Sequence, residues 1–205
     1  MAQAILAQGR GPCVADAGDV PATAARLLRG SPWGLTPVEK QARRFNDDIA
    51  AKASAAEILQ LCERHKAQFN TVHLVTALHR IAKAQDGPEA LGDPGLVKLL
   101  SELAALFATH GPEDTTRHLS NAAWALAVLP LRDGPLLAAI SSQSLAKIRE
   151  CDPQNLSNTA WALATLELPD LPLFQATSAS ALPRIRHFGA QRLSNTAWAY
   201  ATLGL

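Results

Sequence analysis

The sequence is poor in several residue types, and each shortage argues against a class of protein. Aromatic residues make up only 5% of the 205 residues, and the formal net charge at pH 7 is +1. A chain this close to neutral has no strong overall field for nucleic acid. It also has no apolar run long enough to span a bilayer, so we expect no membrane partner. Its three cysteines, Cys13, Cys62 and Cys151, are far apart without a CxxC pair, which favours reduced thiols over a disulfide framework or a zinc site.

Signatures of catalysis are missing as well. The only short glycine pattern near the N-terminus, Gly9-Arg10-Gly11, is not a phosphate-binding loop. The six histidines show no metal-binding spacing such as HExxH, and no Ser, His and Asp set stands out from the rest of the sequence. We therefore expect neither an enzyme nor a bound metal or cofactor.

What the chain does contain is an internal repeat. The signature Leu-Ser-Asn-x-Ala-Trp-Ala begins at Leu119, Leu156 and Leu193, so consecutive copies lie 37 residues apart. A fixed period of this length is typical of stacked supersecondary units, in which function lies on a surface that recurs along the stack.

Each repeat unit holds two predicted helices. Asp152 and Pro153 suit the N-cap and first turn of a helix A over about residues 153–166. A helix B starts near Asp170 or Pro172 and runs towards Arg186, and Pro183 should kink or interrupt it. Helical hairpins of this kind predict an all-α fold, an α-solenoid of stacked hairpins with a period of about 37 residues.

The repeat sets the predicted boundaries. A diverged copy at residues 69–82 follows a helix B at 55–66, so a domain of about four repeats spans residues 51–205. Residues 1–50 lack the repeat and form a disordered leader or a targeting segment; residues 1–15 contain Arg10 and no acidic residue. Because Leu205 ends a helix A with no helix B after it, the sequence suggests a truncated array.

Six residues of the signature suit a structural role. Asparagine is a poor interior helix residue, so each copy needs a reason to be there. We favour an asparagine ladder that bonds the backbone of adjacent repeats over hydrogen bonds to RNA bases, because an invariant residue cannot encode a varying base sequence. The tryptophans favour core packing over stacking on bases. These residues are Asn121, Asn158, Asn195, Trp124, Trp161 and Trp198.

Other residues suit RNA contact. The residue before the signature leucine differs between copies. Such variation is expected if each repeat reads a different RNA base, and also if the position is a surface site that tolerates any polar residue. The residues are His118, Asn155 and Arg192, with Gln154 and Gln191 beside them. Four basic residues recur at the end of helix B, where they oppose the helix dipole or form a row that tracks phosphates. These are Lys147, Arg149, Arg184 and Arg186.

The stretch from Asp152 to Leu166 resembles a known motif. Its sequence, Asp-Pro-Gln-Asn-Leu-Ser-Asn-Thr-Ala-Trp-Ala-Leu-Ala-Thr-Leu, resembles helix A of octotricopeptide repeat proteins. It is also similar to the repeats of FAST-kinase-like and RNA-editing substrate-binding complex proteins, and the resemblance covers residues 55–205. It implies an RNA-binding solenoid of a mitochondrion or chloroplast, acting in transcript processing, stability or translation. Many such proteins carry a C-terminal RAP domain, and this chain ends before one, so nuclease activity is not carried over.

Two functions remain in view from the sequence. The leading one is an organellar protein that binds single-stranded RNA, with other RNA-processing proteins as further partners. The alternative is a protein-binding scaffold of the same architecture without RNA contact, since stacked helical hairpins serve both roles. The net charge favours the scaffold, whereas the recurrent basic residues and the resemblance favour RNA.

Overall fold

The computed structural model describes residues 36–109 and 115–205, and these residues are helical, with no strand among them. The predicted all-α class is confirmed. The nine α-helices of the described ranges are α1 (Pro37–Ala51), α2 (Ala55–His65), α3 (Thr71–Lys83), α4 (Pro94–Ala108), α5 (Thr116–Val128), α6 (Gly134–Ala146), α7 (Pro153–Thr165), α8 (Leu171–Ala181) and α9 (Ala190–Leu203). None of these helices is both long and apolar enough to cross a membrane.

Side-chain caps explain where most of these helices begin. In α1 to α8 an Asp, Asn, Ser or Thr at the N-cap accepts a hydrogen bond from a backbone N–H of the first turn. At α7, for example, Asp152 Oδ1 accepts from the N–H of Asn155 at 2.7 Å. Each cap stabilises its helix by about 1 kcal/mol. Helix α9 differs, because its N-cap is Gly189 and no side chain caps it.

The signature helices α7 and α9 end in the same way. After α7, the N–H of Leu168 donates to the Leu163 carbonyl at 2.9 Å, and the N–H of Glu167 donates to the Ala164 carbonyl at 3.0 Å. This is a Schellman motif, which places Glu167 in the left-handed region at φ 56°. Gly204 takes the same place after α9, 37 residues later, at φ 69°. After α5 the N–H of Leu131 donates to the Leu126 carbonyl at 2.9 Å, but Pro130 has no N–H to donate the second bond. The period therefore marks the helix ends as well as the helix faces.

The helices form two layers. The odd-numbered helices pack against one another in the order α1, α3, α5, α7, α9, and we call them the A layer. The even-numbered helices pack in the order α2, α4, α6, α8 and form the B layer. The pairs α2 with α3, α3 with α4, α5 with α6 and α7 with α8 connect the layers as helical hairpins.

The core lies between the layers and between neighbouring A helices. Leu126, Leu136, Ile140 and Phe107 are fully buried there, and α5 and α7 contribute many small alanines. Alanine at these positions lets neighbouring helices approach closely without a cavity. In the B layer, the Gln143 side chain of α6 also donates to the Phe107 carbonyl of α4.

The interruption predicted at Pro183 is present in the structure. Helix α8 ends at Ala181, and residues Leu182–His187 form a 3-10 helix with Pro183 in its first turn. Proline cannot donate the backbone bond that an α-helix would need there. The connection between α3 and α4 contains another 3-10 helix, Gly87–Gly92.

The segment predicted as a leader holds a helix. Helix α1 falls almost entirely within residues 1–50, and it packs on α3 with Phe45 and Ile49 buried. His73 of α3 binds the Ala42 carbonyl through Nε2 at 3.0 Å, which ties α1 to the A layer. Residues 1–35 of the predicted leader lie outside the described residues, and for them the leader stays a prediction.

Candidate nucleic-acid interface

The predicted basic residues lie at one edge of the two layers. At this edge the B helices end and the next A helices begin, with a short 3-10 turn after α2, α6 and α8; we call it the B-to-A edge. Lys147 and Arg149 lie in the connection before α7, and Arg184 and Arg186 lie in the connection before α9. The N-termini of α7 and α9 open at the same edge, so the basic side chains and the positive helix ends occupy one region.

The two connections are linked to each other. Arg184 donates from Nη1 to the Cys151 carbonyl at 2.8 Å, and Ser180 Oγ donates to the Ile148 carbonyl at 3.2 Å. Arg184 also donates from Nε to the Ser180 carbonyl at 3.0 Å and from Nη2 to Ser180 Oγ. Its guanidinium therefore holds adjacent repeats together as well as carrying charge.

The four basic residues differ in how far their side chains are exposed to solvent. Arg149 and Arg186 are exposed, whereas Lys147 and Arg184 are half-buried. Arg186 contacts His187 Nε2 through Nε at 3.3 Å. The exposed pair is therefore best placed to meet a ligand. The role predicted for all four stays a prediction.

The variable position before the signature leucine is the third residue of each A helix, and it faces the preceding A helix or the cap. Asn155 is only 7% exposed: its Oδ1 accepts from Ser120 Oγ at 3.0 Å, and its Nδ2 donates to Thr116 Oγ1 at 3.0 Å. His118 Nδ1 accepts from the N–H of Thr115 at 3.3 Å. The polar atoms of Asn155 are thus used within the protein, where they link α5 to α7.

The position one residue earlier is more open. Gln154 and Gln191 line a cavity of about 230 Å³ between α7 and α9. The other lining residues are Asn158, Gly189, Ala190, Arg192 and Asn195. Gln154 and Asn158 are four residues apart on one helix, as are Gln191 and Asn195, so both pairs face the same groove.

The signature asparagines do not provide the hydrogen bonds between these helices. Asn158 is buried at 3% exposure, and Asn195 has a buried Nδ2 atom without a hydrogen-bond partner. The bonds between helices come instead from Asn155 and from Ser157, whose Oγ donates to the Arg192 carbonyl at 3.2 Å. The serine before the asparagine, Ser120 on α5 and Ser157 on α7, is the sequence signal for this interface. The half-buried Asn121 occupies the equivalent place on α5.

The signature tryptophans lie in or against the core. Trp124 and Trp161 are 5% and 4% exposed, and Trp198 is half-buried against the same core. The Trp124 ring is 4.9 Å from the ring of His79, which occupies the tryptophan position of the earlier copy. Burial, together with the nearby charges of Lys83, Arg80 and Arg117, lowers the pKa of His79 to about 4.

Burial opposes ionisation of the two thiols that the structure describes, Cys62 and Cys151. Burial and the charge of Glu102 raise the pKa of Cys62 to about 12. Burial and the charge of Asp152 raise the pKa of Cys151 to about 11. Both thiols are therefore protonated, and a protonated thiol is a poor nucleophile and metal ligand. Within residues 36–109 and 115–205, no group of three or more His, Cys, Asp or Glu side chains has a metal-binding arrangement.

One residue important for this site was missed in the sequence, and a signal for it exists. Gly189 lies 37 residues after Asp152, so the cap of α7 is replaced by glycine at α9. Comparing cap positions at the period, rather than the signature alone, would have found this difference.

These features define a helical-repeat domain with a polar, partly basic edge. The family model for the Tbc2 translation factor, N-terminal domain, matches residues 88–205, more than half of the chain, and the chain belongs to this family. No curated protein matches the sequence. Membership of a translation factor family indicates a role in translation or RNA metabolism.

The match corrects the family expected from the sequence. The resemblance to octotricopeptide repeat, FAST-kinase-like and RNA-editing substrate-binding complex proteins, with their RAP-domain relatives, was wrong, because the matching model is that of the Tbc2 family. The residues that suggested it, from Asp152 to Leu166, lie inside the matched range. An alanine-rich helix with a single tryptophan meets packing requirements that many helical arrays share, so this motif did not discriminate between families.

Proposed function

We propose that this chain binds single-stranded RNA along the B-to-A edge and acts in translation or RNA processing. The observation that carries the proposal is the clustering at this edge of exposed Arg149 and Arg186 with the N-termini of α7 and α9. Basic side chains and helix N-termini both attract phosphates. The family supports the biological setting, since its name is that of a translation factor.

The proposal includes an α-solenoid. Contacts of each A helix with its neighbours, and of each B helix with its neighbours, support a linear array of hairpins. In such an array the B-to-A edge is continuous, so one strand of RNA meets several repeats in turn. RNA-processing proteins are further partners in this proposal.

The test removes the two exposed edge cations. We expect Arg149→Gln with Arg186→Gln to weaken binding of a fluorescent oligouridine of about ten nucleotides. The slope of log affinity against log salt should fall by about 1.4, because each lost phosphate contact on a single strand accounts for about 0.7. Arg184 is kept, because its bonds to Ser180 and Cys151 make it a structural residue.

The matched control removes the same charge at the opposite edge. Lys83 is exposed at the end of α3, and Arg132, whose side chain is 58% exposed, lies between α5 and α6. Lys83→Gln with Arg132→Gln should leave the salt slope as in the wild-type chain. Equal losses in both double variants would mean that net charge, and not the B-to-A edge, governs binding.

The protein-binding scaffold is the second candidate, and a specific observation favours it. Leu182 and Ile185 are 66% and 45% exposed in the 3-10 turn that also carries Arg184 and Arg186. Exposed aliphatic side chains beside charged ones are typical of a protein contact. If oligouridine fails to bind at low salt while Leu182→Ser with Ile185→Ser releases a co-purifying protein, the scaffold is the correct function.

We further propose that the domain acts by binding, without catalysis, and that it works in a mitochondrion or chloroplast. The protonated cysteines and the buried His79 support the first point, since none offers an activated nucleophile or base. The acid-free composition of residues 1–15 supports the second. A fluorescent fusion of the whole chain, compared with one lacking residues 1–15, tests the location; identical cytosolic signals would contradict it.

A further inference from the structure

The N-terminus of α9 carries more positive charge than a helix start normally tolerates. No side chain caps it, and its first turn contains no acidic residue. The Arg192 guanidinium lies close to it, because Nη1 is 3.5 Å from the point where a Cβ on Gly189 would be. A cation beside the positive end of a helix dipole is unfavourable unless an anion lies near both.

The cavity between α7 and α9 opens at this same helix start. Gly189, Ala190, Gln191 and Arg192 form one side of it, and none of its seven lining residues is acidic. Backbone N–H groups of an uncapped first turn are free donors, and they bind phosphate well when a guanidinium adds to them.

The rest of the cavity carries carboxamides. Gln154 and Asn158 come from α7, and Asn195 comes from α9. The half-buried Asn195 has a buried Nδ2 without a hydrogen-bond partner, and an unpaired donor of this kind destabilises the protein. A ligand that brings an acceptor to this atom removes the destabilisation. The volume of about 230 Å³ has room for a planar heterocycle.

We propose that this cavity binds one nucleotide of a single-stranded RNA, with a phosphate at the N-terminus of α9 beside Arg192. The base lies against the carboxamides of Gln154, Asn158 and Asn195. Because the unpaired Nδ2 is a donor, the site prefers a base with a carbonyl oxygen, such as uracil, over adenine. The inference rests on the proposed RNA-binding function and assigns one contact within it.

Gly189→Asp separates ligand binding from folding. Asp152 already caps α7 at the equivalent position, so an aspartate at 189 should cap α9 and raise the melting temperature. The same carboxylate would occupy the free N–H groups and repel phosphate. We therefore expect a more stable protein that binds oligouridine at least about fivefold more weakly, with a salt slope smaller by about 0.7.

The matched control is Gly92→Asp. Gly92 is exposed in the connection between α3 and α4, at the opposite edge, and a Cβ there meets no atom within 4 Å. This variant makes the same change in residue type and net charge away from the cavity, so its affinity for oligouridine should equal that of the wild-type chain.

Two further variants complete the test. Arg192→Gln should reproduce the weaker binding of oligouridine without adding a carboxylate. If Gly189→Asp lowers the melting temperature, the affinity of Arg192→Gln becomes the test of the phosphate site. Asn195→Ala should reduce the preference for oligouridine over oligoadenosine.

The outcomes distinguish the two proposals. If the wild-type chain does not bind oligouridine at low salt, the proposed function is wrong. If it binds, and both Gly189→Asp and Arg192→Gln bind as tightly as the Gly92→Asp control, only the assignment of the cavity is wrong. An unchanged preference for oligouridine over oligoadenosine in Asn195→Ala would show that the base does not contact Asn195.

Discussion

Glu167 holds a left-handed backbone conformation that glycine adopts more easily. Its φ is 56° at the end of α7, where the equivalent residue after α9 is Gly204. An L-residue in this region costs roughly 1–2 kcal/mol, and the exposed ion pair of Glu167 with Arg132 returns little of it. We expect Glu167→Gly to raise the free energy of unfolding by about 1 kcal/mol in urea titrations. Glu167→Ala loses the same ion pair but keeps the strain, so equal stabilities of the two variants would contradict this reasoning.

His79 should make the stability depend on pH. Burial against Trp124 lowers its pKa to about 4 in the folded protein, from the ordinary histidine value of 6.5. Between these values the unfolded chain binds the extra proton, so the free energy of unfolding falls as pH drops from about 6.5 towards 4. The loss amounts to roughly 1–3 kcal/mol. Urea titrations of His79→Phe across this range should show a flatter pH profile, whereas the exposed His187→Gln should keep the wild-type slope.

At the level of helices, Asn155 tests whether the variable position stabilises the array or reads RNA. Its amide joins α5 and α7 through Ser120 and Thr116. We expect Asn155→Ala to lower the free energy of unfolding by roughly 1–3 kcal/mol, because buried partners are left unpaired. Gln154→Ala, one residue away on the open side, should leave stability within about 0.5 kcal/mol. A double-mutant cycle with Ser120→Ala measures the contact, and no coupling between them would exclude it.

The helices also show what the sequence could predict and what it could not. The start of α7 at Pro153 was predictable, because a local Asp-Pro signal sets it. The fixed period of 37 residues then predicted where the equivalent helices α5 and α9 begin. Helix α1 was missed, because its contact with the core rests on Phe45 and Ile49, too few residues for a visible period. The direction in which Asn155 points depends on how α5 and α7 lie against each other, which no local pattern encodes.

At the level of the whole molecule, the layered contacts predict which helices lose stability when one buried side chain is truncated. Leu78 of α3 and Leu163 of α7 are buried in separate hairpins, and truncating either to alanine should cost roughly 2–5 kcal/mol. In a linear array each hairpin depends mainly on its neighbours. Hydrogen exchange should therefore speed up first around α3 in Leu78→Ala and around α7 in Leu163→Ala. Uniform loss of protection along the chain in both variants would contradict the proposed α-solenoid.

The paired start and stop signals of the signature helices have a consequence for how such a chain changes in length. Helices α5 and α7 begin at their own threonine or aspartate cap, α7 and α9 end at their own left-handed residue, and these signals recur with the period. Duplication of one 37-residue block would thus give a longer protein whose new seams are copies of existing ones. Growth by whole blocks is consequently the cheapest way for this chain to extend its reach.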